Sequence, residues 1–460
     1  MSNEIANYDG SITTSPQQVV FPQTVEEIQA VLRDTIRFPS PVRAMGSYHS
    51  LTPCASSDGT VLRMSRMNRV ISIDTDANTF TAEAGLQFID ANHALRAENR
   101  QFLTNIEIGN MTLGAAACCH TKDALDGVEF GQVGSYITNI KWVTPSGDLS
   151  EASEASNPDL LRRVRTSYGL CGVIYEITFR IKPIEDVHFT YTPRPIAELT
   201  ETEVSEILNT AEGVICWTID DMAIFQRREK AAHAGPLAEP LAAARRHLWS
   251  RTEASVSRMI AENASSQGME NVAQTLWFKA NRLMYAALHL TGGITIKDPD
   301  KTVDYRSTPQ SDRYAFTFWA FPRAQWLVNL KAYVEFRDNY FRKTGFRCNM
   351  PLGSYRIRKD HNALLSYSHD EEIFSLDPIH APTTLEPWHD FLKAFNEWAY
   401  ERNGIPLLNQ SPFVERKHVE RAYGARWQEF SDWVRSEDPQ GRMLNPFFAA
   451  LLSEKPASAV

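Results

Sequence analysis

The sequence predicts an α+β chain of two or three domains, on three observations. Short strand patterns alternate with helix patterns over the first 185 residues. Composition then shifts near residue 186, ahead of an alanine-rich stretch, about 226–292, that reads as helical. Strand patterns return from about 313 before helix patterns close the chain. At 460 residues the chain can bury several cores.

Taken in order, Thr24-Val25-Glu26-Glu27 reads as a capping box, with Val25, Ile28, Val31 and Leu32 on one apolar helical face. PVRAM reads as a strand that breaks at Gly46. TVLRM, RVISID and TFTAEAG follow as short strands, the last alternating through Phe80, Ala82 and Ala84, and QFIDANHALRAE reads as a helix. Asn157 is an N-cap before Pro158, opening a helix with Leu160, Leu161 and Val164 on one side. GVIYEITFRIKP is the clearest strand. Its Val173, Tyr175, Ile177, Phe179 and Ile181 alternate with polar residues, so one face is expected buried. The stretch 226–292 carries Trp249, Met259, Trp277, Phe278, Met284 and Tyr285 among Arg, Lys and Glu. It can be a dimer contact, a lid or a membrane-surface patch, against the plainer reading of a packed helical pair. RYAFTFWAF and NMPLGSYRIRK read as strands; EPWHDFLKAFNEWAYERNG and ERKHVERAYGARWQEFSDWV read as helices.

The net charge of −9 argues against a nucleic-acid binder. No run approaches 18 consecutive apolar residues, and the polar MSNEIANYDG start does not resemble a secretory signal. The six cysteines are scattered without CxxC spacing, so neither a zinc site nor a disulfide framework is indicated, and a cytoplasmic location is expected. Adjacent Cys118 and Cys119 read as two small buried thiols in a tight loop.

Three small-residue turns fall in the N-terminal half: RAMGSYHS, the Gly114–Ala117 run within TNIEIGNMTLGAAACCHT, and TSYGLCGVI with Gly169 and Gly172. Together they suggest close backbone approach to a cofactor with a phosphate-bearing tail. Taken alone, His49 in its turn reads as a solvated or locally bonded imidazole.

These segments resemble the vanillyl-alcohol-oxidase flavoproteins, and among them the gulonolactone, arabinonolactone and alditol oxidase branch. RAMGSYHSLTPCASSDGTVLRMSRMNRVISID is similar to its strand–GxGHS–loop–“DG”–strand–“MNRV” pattern. WVTPSGDL with LCGVIYEITFRIKP resembles “TADGE…LGxxGIIxxVTL”, and DPQGRMLNPFFAAL resembles “DPxGxFLNPYL”. The resemblance covers nearly the whole chain. It implies a two-subdomain FAD-binding domain over 1–185, with 420–460 returning to it, and a cap over 186–419 built on an antiparallel sheet. It implies FAD bonded covalently to His49. Gly46, Ser47, Tyr48, Ser50, Thr112, Gly114, Ala115, Cys119, Thr121, Gly172, Val173, Ile174 and Asn445 are the accompanying cofactor-binding positions. Tyr48 stands where the family often has glycine.

The implied activity is oxidation of a small-molecule alcohol, hydride passing to flavin and oxygen reoxidising it. A dehydrogenase using another acceptor and a non-catalytic scaffold are the alternatives. A gap-free match of the flavin loop sets Lys122 where the family has a histidine; a two-residue deletion sets His120 there instead. In the cap, the family's E-x-R falls on Ser354 and Arg356, a His/Asn position on Asp377, and a lysine on Gln410. Arg356, Asp377 and Gln410 are the expected catalytic residues, with His369 and His380 as rival bases and Asn409 as a further polar contact. Asp377 also reads as a plain surface carboxylate. Loss of Glu and Lys from these positions predicts a substrate less polar than a sugar.

Overall fold

Thr24 Oγ1 accepts a hydrogen bond from the Glu27 amide and opens helix Val25–Arg33, which buries Ile28, Val31 and Leu32. Glu27 reaches back to the Gln23 amide, one residue beyond a capping box. The computed structural model describes residues 4–123, 129–231, 235, 238–247, 252–309 and 312–453. The helix shares a core with Val42 and Leu62 of a parallel sheet ordered Gln18–Val20, Thr60–Arg63, Val42–Met45.

A second sheet is antiparallel, in the order Leu149–Ser153, Ile137–Val143, Val173–Pro183, Thr79–Glu83, Val70–Asp74, with Arg100–Phe102 pairing the far end of Val173–Pro183. Strict alternation along its central strand does not hold. A bulge between Ile174 and Glu176 turns Val173 and Tyr175 toward the core under the first helix, while Ile174 joins Ile177, Phe179 and Ile181 in the main core.

Beyond residue 186 the chain builds an eight-stranded sheet, every pairing antiparallel. Its order is Ile294–Lys297, Asp186–Pro195, Met222–Ala231, Gly213–Ile219, Leu352–Ile357, Ile373–Leu376, Trp319–Pro322, Ile405–Pro406. One face carries Val214, Cys216, Phe225 and Phe374. Helices Trp326–Thr344 and Leu385–Glu401 cover it through Trp326, Leu330, Trp388, Phe391 and Phe395. The other face, with Phe189, Ile215, Trp217 and Tyr355, packs on helix Gln267–Leu290 through Phe278 and Tyr285.

The stretch expected to be helical from about 226 starts as strand, because Met222–Ala231 runs on to Ala231. Its charged end, RREK, looks like a helix surface in sequence; in the fold Arg228 is buried against carboxylates. Helices Ala238–His247, Ala254–Asn263 and Gln267–Leu290 follow, the last two packed together as the plainer reading expected. Trp249 lies outside the described residues.

Helices Arg416–Tyr423 and Ala425–Glu437, parted at Gly424 with φ 52°, and helix Pro446–Leu452 bury Val419, Tyr423, Phe430 and Phe448 with Phe80, Ile140 and Ile177. Residues 454–460 lie outside the described residues. Among the described residues no helix is long and apolar enough to cross a membrane.

A buried ionic cluster ties the N-terminal half to the eight-stranded sheet. Asp123 contacts Arg228 at 2.6 Å and also Lys301, and Lys301 reaches Asp298 at 2.9 Å. Glu107 meets Arg228 at 3.1 Å and Arg245 at 2.9 Å. Deleting one member strands its partners' charge in the interior. Arg228→Met is therefore expected to lower unfolding free energy by about 3–5 kcal/mol, read as a reduced urea midpoint at unchanged slope.

Candidate active site

A cavity lies between the N-terminal half and the eight-stranded sheet. Strand Val42–Met45 delivers the chain to it and stops at Gly46. A Cβ at Gly46 would stand 2.3 Å from Thr112 Oγ1, so only glycine lets this turn lie against the Thr112 loop. Tyr48 follows at φ 54°, a left-handed conformation uncommon outside glycine, held by its hydroxyl 2.6 Å from Ser56 Oγ. The amides of Tyr48, His49 and Ser50 have no protein acceptor among the described residues. They form a row of donors beside the cavity, of the kind that receives an anionic group.

His49 stacks on Tyr8 with centroids 4.2 Å apart and meets the edge of Tyr305. Asn110 Nδ2 donates to its Nε2, which leaves Nδ1 as the ring nitrogen without that bond. Burial first, and the nearby Arg313 charge second, push the imidazole down to about 3, so it is neutral in ordinary buffers. Gly172 sits at φ 132° with a would-be Cβ 2.0 Å from Val143 O, a position closed to any side chain. Arg43 is buried and fastens this wall: its guanidinium donates to Cys54 O at 2.8 Å, Met443 O at 2.9 Å and also Tyr168 O. Cys54, Cys118 and Cys119 are free thiols on the same wall, the last two with sulfurs 4.0 Å apart.

A further part of the lining is polar and aromatic. Lys122 Nζ is ion-paired with Asp377 and sits 4.3 Å from the ring centroid of Phe318, 4.5 Å from Tyr355 and 4.9 Å from Phe316. Burial lowers the ammonium and raises the carboxyl, Asp377 being pushed up to about 6 despite the Lys122 charge. Tyr305 and Tyr314 add hydroxyls 2.9 Å apart. Asp377 Oδ1, Asn409 Oδ1 and Gln410 Oε1 are buried acceptors without a donor among the described residues, and all three residues line the cavity.

Most of the positions expected from sequence converge here. Gly46, Ser47, Tyr48, His49, Ser50, Thr112, Gly114, Ala115, Cys119, Thr121, Gly172 and Ile174 line it, together with Asp377, Asn409 and Gln410. Asp377 is 1% exposed and so is no surface carboxylate. The gap-free loop register matches the cavity, because Lys122 lines it while His120 is buried between Tyr168 OH and Leu365 O.

Three expectations fail. Arg356 does not line the cavity. On strand Leu352–Ile357, Tyr355 faces inward, so its neighbour points to the other side, where Arg356 binds Leu208 O and Glu372. Val173 is turned into the core by the bulge. Asn445 caps helix Pro446–Leu452 and donates to Pro53 O and Ser56 O, so it supports the Cys54 turn from behind. The rival bases are also elsewhere, His369 beside Asp370 and His380 receiving the Asn349 amide.

Sequence reasoning passed over Glu107, Tyr305 and Tyr314 as lining residues, and Asn110 as the His49 partner. Two of these, Glu107 and Asn110, stand in the quoted loop TNIEIGNMTLG, where polar residues interrupt an otherwise apolar run. Tyr305 carries no local signal, and Tyr314, in RYAFTFWAF, carries only that of a strand.

Residues 16–153 match the sequence family described as an FAD binding domain. The chain is 22% identical to L-gulonolactone oxidase of Scyliorhinus torazame over 452 residues, covering 97% of this chain and 98% of that one. It is equally 22% identical to L-gulono-1,4-lactone dehydrogenase of Mycobacterium tuberculosis, over 98% of this chain and 100% of the other. Among solved structures it resembles cholesterol oxidase from Brevibacterium sterolicum, with a TM-score of 0.76 at 14% identity, covering 98% and 97% of the two chains.

Proposed function

We propose, for a chain that is an FAD-linked oxidoreductase of the vanillyl-alcohol-oxidase type, that the substrate is a polyhydroxylated lactone of a sugar acid, oxidised at a CH–OH carbon. One observation carries the substrate class: the three unpaired acceptor oxygens of Asp377, Asn409 and Gln410 at one cavity. A buried acceptor without a donor costs free energy, and substrate hydroxyls remove that cost. This reading displaces the expectation of a substrate less polar than a sugar. The polar groups missing at Ser354 and Gln410 are supplied by Lys122 and Asp377 from other segments. The names of the whole-length relatives support the same class.

The residues present fit FAD. The Gly46 turn and the backbone at Gly172, where an added Cβ would run into Thr112 and Val143, line the cavity beside the unpaired amides of Tyr48 to Ser50. Bound FAD supplies a two-electron hydride acceptor. His49, neutral, lining the same cavity and with Nδ1 free of the Asn110 bond, is the proposed point of covalent attachment.

The chain's own groups handle the proton and the substrate. Asn409 and Gln410 accept hydrogen bonds from substrate hydroxyls and fix the orientation. Asp377 accepts the proton of the hydroxyl undergoing oxidation, and Lys122 steadies the carboxylate in a pocket whose aromatic walls exclude water. Only the unprotonated Asp377 can act, so kcat/KM is expected to rise with pH through about 6 and then level off. A limb at the ordinary carboxylate position, roughly pH 4, removes Asp377 as the base.

The function is tested by mixing the protein under argon with aldonolactones, their open acids and unhydroxylated alcohols while following flavin absorbance. Bleaching by lactones is expected; bleaching only by the unhydroxylated alcohols overturns the substrate class. Relatives named oxidase and dehydrogenase match at equal identity. Peroxide formed in air assigns oxygen as acceptor, and dye reduction without peroxide assigns another.

A further inference from the structure

Helix Gln267–Leu290 turns Phe278 and Tyr285 into the cap and leaves an apolar stripe outside. Met269 is 57% exposed, Val272 62%, Leu276 60%, Leu283 73% and Leu290 84%. Ala280 and Ala287 complete the stripe, with Lys279 the one charged residue on it. Steps of three and four residues along 24 residues, about 36 Å, are those of a helix–helix seam. Soluble surfaces rarely expose so long an apolar line.

The stripe is its own complement. Turned end for end about a two-fold axis between Lys279 and Ala280, Met269 meets Leu290, Val272 meets Ala287, Leu276 meets Leu283 and Lys279 meets Ala280. Each large residue finds an apolar partner, and the small Ala280 and Ala287 allow close approach. Glu270 faces His289 at both ends, a carboxylate against an imidazole. Lys279 lies beside the axis, where its stem can cover the partner's alanine while its ammonium reaches water. We propose that this face is the interface of a homodimer, formed by antiparallel pairing of Gln267–Leu290 with the same helix of a second copy. A lipid surface is the poorer occupant. The chain's net charge of −9 repels anionic headgroups, and the stripe lacks a basic rim.

Sedimentation velocity of the full-length, flavin-loaded protein at micromolar concentration is expected to give twice the 52.0 kDa chain mass. Leu276→Lys with Leu283→Lys is expected to weaken association at least about 100-fold, leaving circular dichroism and flavin content unchanged. Register is read from single cysteines, with the wild type as control for native thiols. Ala280→Cys, at the axis, is expected to form an interchain disulfide, and Leu290→Cys, far from its own copy, is not. A wild-type monomer, a dimer that survives the double lysine variant, or cross-linking at 290 instead of 280 each overturns the proposal. Flotation of a monomer with phosphatidylcholine vesicles, lost in the lysine variant, puts lipid in its place.

Discussion

Asp377→Asn is expected to lower kcat/KM for an aldonolactone by about a thousandfold, the range in which a positioned general base acts. Asparagine keeps the shape and the hydrogen-bonding capacity but cannot take a proton. Flavin content and thermal stability report whether the fold survives, since Lys122 loses its counter-charge amid the rings of Phe318 and Tyr355. Lys122→Met separates the roles. It leaves Asp377 buried without its cation, so the pH limb moves above about 6 while the base itself is kept. An Asp377→Asn enzyme within threefold of wild type, or a Lys122→Met limb that moves down, ends the assignment of this pair to proton transfer.

His49→Ala is expected to transfer all flavin colour from acid-precipitated protein to the supernatant, whereas the wild-type precipitate stays yellow. A neutral imidazole is a nucleophile and a protonated one is not, and burial keeps His49 neutral far below physiological pH. Loss of the tether also lowers the driving force for abstracting hydride from an unactivated carbon, so turnover is expected to fall even with FAD in excess. Wild-type protein that surrenders its colour to acid refutes the bond to His49 while leaving the cradle around Gly46 and Gly172 intact.

Local signals carried much of the fold. Thr24 caps its helix, PVRAM ends at Gly46, and GVIYEITFRIKP forms a strand from Val173 to Pro183 whose alternation holds from Ile177 onward. The bulge at Ile174–Glu176 was not legible, because an extra residue in a strand leaves no trace in apolar spacing until its partner strand is known. The same blindness explains Arg356. Motif matching fixed its position in the chain, but the face of a strand is set by parity, and the inward Tyr355 beside it decides the matter. Asp377 could be read as surface or site from its acidic neighbours; burial against Lys122, 255 positions away, is a long-range fact. Tyr305 and Tyr314 reach the cavity for the same reason: Tyr314 stands in the strand pattern RYAFTFWAF, which does not tell what it lines, and Tyr305 stands in no pattern.

Arg43 couples the cavity wall to chain order. Its guanidinium donates to the nearby Cys54 O and to Tyr168 O, but a third hydrogen bond, at 2.9 Å, ends on Met443 O, and the Val42 amide binds Arg442 O. During synthesis the N-terminal segment emerges long before that partner exists. Until Met443 leaves the ribosome, the buried guanidinium has no ligand on that side, and the turn carrying Gly46 and His49 has no backing. Nascent chains halted before this point should therefore fail to retain flavin even with residues 1–185 fully made, so cofactor capture is a late event in the life of the polypeptide.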